Sequence, residues 1–174
     1  EVDWSSPAGA RIKVTSVRMV SLTQRAIAAI SYTVEPVDDK LRLVLQSEIV
    51  TNEELPKRGK DPRLSAVLEN PLVSEENQCS SDGGPARALL VHRTRASGLR
   101  IAAGMSHAIT GPEKMANRIE SYPDLARFTV ATEVAPGEQL HIVKFIGYGW
   151  SSTRTRPALI DQVVGALAAA HLTG

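Results

Sequence analysis

The stretch "RFTVATEVAPGEQLHIVKFIGYGW", residues 127–150, decides the fold. Arg127–Val134 and Glu138–Trp150 are short β-type runs. Between them Pro136 and Gly137 suit the two central positions of a type II turn, one by its fixed φ and the other by its tolerance of positive φ. Strand, tight turn and strand is the unit of antiparallel structure, and it recurs upstream. "RALLVHRT" (residues 87–94) and "GLRIAAGMSHAI" (residues 98–109) are joined by "RASG", in which Gly98 is free to turn the chain.

Further towards the N-terminus, "KLRLVLQSEIV" (residues 40–50) alternates, with Leu41, Leu43, Leu45 and Ile49 on one face and Arg42, Gln46 and Glu48 on the other. "RAIAAISYTV" (residues 25–34) is apolar on both faces, as a strand covered on both sides is, and Pro36 ends it. In "RIKVTSVRMVS" (residues 11–21) the apolar phase shifts near Ser16, from Ile12 and Val14 to Val17 and Met19, which predicts a bulge. There is no alternation of strands with helices and no internal repeat, so the pattern predicts a mainly β, antiparallel sandwich.

Two polar stretches interrupt it. Residues 51–86 exceed a usual connection. Asp61 before Pro62 is a helix-start signal, residues 63–70 have room for two turns before Pro71, and "CSSDGGP" (residues 79–85) reads as a flexible tip. The whole segment is expected to be the most mobile internal part of the chain. Residues 110–124, "TGPEKMANRIESYPD", read as a second mobile loop.

The C-terminus reads as a helix. Thr155 is the N-cap and Pro157 lies in the first turn, while Leu159, Ile160, Val163, Val164 and Leu167 recur on one side. That stripe must be covered by its own sheet or by a second copy of the chain. Gly165, Ala166, Ala168, Ala169 and Ala170 would admit a close neighbour and favour the copy, giving a homodimer through this helix.

Composition narrows the function. Twenty Lys+Arg against nineteen Asp+Glu leave a net charge of +1, with no basic excess for nucleic acid. No apolar run is long enough for a membrane, and no signal segment opens the chain. Cys79 is the only cysteine, so no internal disulfide forms, and a cytoplasmic location is expected. The opening "EVDWSSPAGARIKV", without Met, reads as the interior of a longer protein.

No catalytic constellation stands out. His92, His107, His141 and His171 lie in no metal-ligand spacing, and His92 and His141 read as structural strand residues. There is no nucleophile elbow and no phosphate loop. Glu53, Glu54, Glu75 and Glu76 read as solvated, and Cys79 has no activating neighbour. No residue is therefore assigned a catalytic, cofactor-binding or metal-binding role. Tyr148 and Trp150 share a strand face and are the one aromatic pair suited to a sugar platform, although core packing is the expected role. His92 or His107 with Glu48 is the one acid–base set that an epimerase could use, and no motif supports it.

"PAGARIKVTSVRMVSLTQRAIAAISYTVEP", "LRLVLQSEIVTNE", "HRTRASGLRIAAGMSH" and "LHIVKFIGYGWSSTRTRPA", in this order, resemble the N-terminal domain of family 65 glycoside hydrolases. That family includes trehalose, maltose and kojibiose phosphorylases and acid trehalases, and the actinobacterial trehalose-hydrolase-like members are the most similar. The resemblance implies an antiparallel super-sandwich of the galactose-mutarotase-like type over residues 1–154, with its first strands missing. It makes residues 155–174 the start of a helical linker to an (α/α)6 barrel that carries the catalytic glutamate and is absent here. It implies inverting cleavage of an α-glucosidic bond by the parent enzyme, with phosphate as co-substrate if that enzyme is a phosphorylase and no other cofactor. The disaccharide would be met through the missing domain. The chain is thus expected to be an accessory domain without activity of its own. The alternatives are a stand-alone carbohydrate-binding module and a mutarotase-like epimerase.

Overall fold

The computed structural model describes residues 1–7, 9–53, 70–81 and 84–173. Its strands are β1 (Val2–Ser5), β2 (Arg11–Val20), β3 (Ile27–Pro36), β4 (Leu41–Val50), β5 (Leu72–Ser80), β6 (Arg87–Thr94), β7 (Arg100–Thr110), β8 (Met115–Tyr122), β9 (Leu125–Val134) and β10 (Leu140–Ser151), followed by the helix α1 (Arg156–Thr173). They form a seven-stranded sheet, β1-β2-β3-β10-β7-β6-β5, and a three-stranded sheet, β4-β9-β8. Every pairing is antiparallel.

The two turns read from the sequence are present and do different jobs. Gly98, at φ 67°, closes the hairpin between β6 and β7 within the large sheet. At Pro136–Gly137 the Glu138 N–H donates to the Ala135 carbonyl at 3.0 Å, and Gly137 has φ 84°, as a type II turn requires. This turn carries the chain from β9 in the small sheet to β10 in the large one, so it joins the layers.

Between the sheets Leu90, Met105, Phe128, Val130, Val134 and Leu140 are buried in one core. A second core lies on the outer face of the large sheet, where Leu159, Val163, Leu167 and Ala170 of α1 pack on Ile27, Ala29, Leu89, Val91, Ala102 and Phe145. The strand read as covered on both sides is β3, whose Ile27 and Ala29 meet the helix side. The apolar stripe of α1 is covered by its own sheet, which corrects the expectation that a second copy of the chain covers it. Thr155 caps it, its Oγ1 accepting from the Ala158 N–H at 3.4 Å.

The small residues that let the helix approach are in the strands. Gly104 and Gly147 pair directly across β7 and β10. A Cβ on Gly147 would lie 3.0 Å from Leu167 and 3.1 Å from Val163, and one on Gly104 would lie 3.0 Å from both. Gly149 prolongs this trough, with Leu159 at 3.2 Å from its would-be Cβ. Glycine inside a strand here marks a close approach of packed elements.

Several expectations need correction. The polar stretch 51–86 contains β5, and Cys79 lies in that strand. β5 escapes recognition because only Leu72 and Val73 are large and apolar, and a register shift between Ser74 and Glu76 breaks its alternation. The helix expected over residues 63–70 falls, except for Asn70, outside the described residues, as does much of the mobility expected for that segment. Residues 110–124 contain β8, an edge strand in which only Met115 and Ile119 pack on the core. β2 has no bulge at Ser16. Its pairing with β3 runs unbroken from Ile12–Pro36 to Val20–Ala28. The apolar residues change side because Ile12 and Val14 face the small sheet's side while Val17 and Met19 lie exposed on the other. Tyr148 and Trp150 are 42% and 60% exposed and do not belong to the core.

Candidate functional site

Chemistry-bearing side chains gather in four places. The first is the end of the sandwich where β4, β6 and the β8–β9 turn meet. His92 is buried, and its Nε2 lies 2.9 Å from Asp124 Oδ1 and 3.0 Å from Thr51 Oγ1. Asn52, at φ 53°, donates through Nδ2 to Asp124 Oδ1 and to the Leu72 carbonyl, both at 3.0 Å, and accepts from the Leu72 N–H at 3.1 Å. Burial alone would raise the Asp124 pKa, but the hydrogen bonds from His92, Thr51 and Asn52 outweigh it and hold the carboxyl below its usual range. The cluster closes the mouth of the long connection after β4 by clasping its far end. All its short contacts are internal, and that is how a structural clasp is built.

The second is the inner face of β7 and β10. His107 is buried, its ring stacked on Phe128 at 4.3 Å, and its Nε2 is 2.9 Å from Ser47 Oγ. Burial, reinforced by the charge of Lys144 and by His171, lowers its pKa to about 3, so it is neutral at physiological pH. Its Nδ1 has no hydrogen-bond partner among the described residues. Lys144 donates to the Glu48 carbonyl at 2.6 Å, and burial lowers its pKa against a smaller opposing pull from Glu48. The Glu48 carboxylate accepts from Arg127 Nε at 2.5 Å. The epimerase-like set of His92 or His107 with Glu48 is therefore dispersed, each member being engaged by a different neighbour.

The third place is the entry to α1. Glu75 accepts from Arg100 Nε at 2.5 Å and also pairs with Arg93, while Arg156 pairs with Glu76 at 2.6 Å. The hydrogen bond from Arg100 lowers the Glu75 pKa. Both glutamates are read from sequence as solvated, yet Glu76 fastens the start of the helix to β5 and the Glu75 carboxylate ties β5 to Arg93 of β6 and Arg100 of β7. His141 and His171 bond to Ser31 at 2.9 Å and to Ser106 at 2.8 Å. Among the described residues there is no group of three or more His, Cys, Asp or Glu that could hold a metal ion.

The fourth is the Tyr148–Trp150 pair, with ring centroids 5.4 Å apart and planes inclined at 41°. The i, i+2 spacing on β10 was the signal for a shared face. Its exposure followed from the width of the covering sheet, which local sequence does not encode.

Two unequal antiparallel sheets with a helix on the outer face define a β-sandwich domain whose polar clusters serve largely as fasteners. The chain matches the family described as "Glycosyl hydrolase family 65, N-terminal domain" over residues 1–174, and it belongs to that family. It is 50% identical over 171 residues to a protein of Mycobacterium tuberculosis described as an uncharacterised glycosyl hydrolase, covering 98% of this chain and 21% of that protein. A protein of Mycobacterium leprae described in the same way is 48% identical, with 99% of this chain and 21% of that protein covered. An alpha,alpha-trehalose phosphorylase of Thermoanaerobacter brockii is 27% identical over 150 residues, or 85% of this chain and 19% of the enzyme. Among solved structures, a putative kojibiose phosphorylase from the human microbiome superposes with a TM-score of 0.77 at 10% identity, covering 97% of this chain and 20% of that one, which establishes a shared fold. The chain thus spans about a fifth of the length of the proteins it matches.

Proposed function

We propose that this chain is the accessory N-terminal domain of an inverting α-glucoside hydrolase or phosphorylase acting on a trehalose- or maltose-type disaccharide. In this reading a barrel elsewhere in the polypeptide supplies the catalytic acid. Water or phosphate attacks from the opposite face of the sugar, and phosphate is then the one co-substrate needed. The observation that carries the reading is the family match over residues 1–174. The seating of α1 in its glycine trough adds a physical role, because it fixes the direction in which the chain leaves the sandwich. We place the protein in the cytoplasm, consistent with the lack, among the described residues, of a helix long and apolar enough to cross a membrane.

The test compares the 174-residue chain with the longer polypeptide on trehalose, maltose and kojibiose, with and without phosphate. Turnover is expected only from the longer polypeptide. Turnover by the 174-residue chain that is abolished by His92→Ala or Glu48→Gln would overturn the reading.

The exposure of Tyr148 and Trp150 favours one secondary reading, a carbohydrate contact in which a sugar ring lies against Trp150. Quenching of tryptophan fluorescence by maltose or trehalose, lost in Trp150→Ala, is the expected sign, and unchanged quenching in that variant would dismiss it. Homodimerisation through α1 is a further proposal, and it must use the outward side, where Ala158, Gly165, Ala168 and Leu172 are exposed. Sedimentation equilibrium should then give a dimer that Ala168→Glu dissociates. A monomeric wild type would end this proposal.

A further inference from the structure

We draw no further inference here: the strongest candidate, the exposed apolar patch of Val17 and Met19 on the outer face of the large sheet beside the seat of α1, carries nothing because nothing in the structure shows what covers it.

Discussion

At the scale of single residues, the histidines carry the most testable chemistry. His107 is held neutral by burial, with a pKa of about 3 in the folded state against 6.5 for the free side chain. Between those values the unfolded chain binds a proton that the folded chain does not, so stability falls as pH falls through this window. For one group the loss between pH 7 and pH 5 is about 2 kcal/mol. Urea unfolding at the two pH values should show it, and His107→Gln should flatten the dependence. A wild type equally stable at both would contradict the assignment. Asn52 gives a second test. Asn52→Ala removes three hydrogen bonds and leaves alanine at φ 53°, so it should cost about 2–3 kcal/mol in thermal or chemical unfolding, and a neutral variant would deny the clasp its role. The sequence marks His92 and His141 as structural strand residues, because each sits inside a β-type run. Their partners are distant in sequence, Asp124 in the β8–β9 turn, Thr51 just after β4 and Ser31 in β3, and no local pattern could name them.

At the scale of elements, legibility followed apolar periodicity. β6, β7, β9 and β10 each carry buried apolar residues, and β4 declares itself by the alternation of its half-buried Leu41, Leu43 and Leu45, whereas β5 and β8 are edge strands with few core contacts. The terminal helix was legible in its cap and its stripe. What it meets was not, since the trough that receives it is made by Gly104, Gly147 and Gly149 on two strands far apart in sequence. The same trough predicts an asymmetry. Gly147→Val must displace Leu167 and Val163 and should destabilise the fold by about 1–3 kcal/mol. Gly165→Ala faces open space and removes a poor helix former, so it should stabilise by a few tenths up to about 1 kcal/mol. Thermal melts of the two variants check this, and shifts of the same sign would show that α1 is seated differently.

At the scale of the whole molecule, the lopsided sandwich is what its function has to explain. Among the described residues seven strands face three, a cavity beside β4 has an apolar floor, and the long helix is bound to the outer face. The outer face of the large sheet holds the helix in place, and the polar clusters close connections between elements. We propose that the chain supports catalysis without performing it. The most direct measurement is kcat and melting temperature of the longer polypeptide carrying Glu48→Gln, His92→Asn and His107→Gln together. A lowered melting temperature with kcat within about threefold of the wild type is expected. A general acid or base among the three would instead be worth about 10²–10⁴ in rate, so a kcat reduced on that scale with the melting temperature preserved would contradict it.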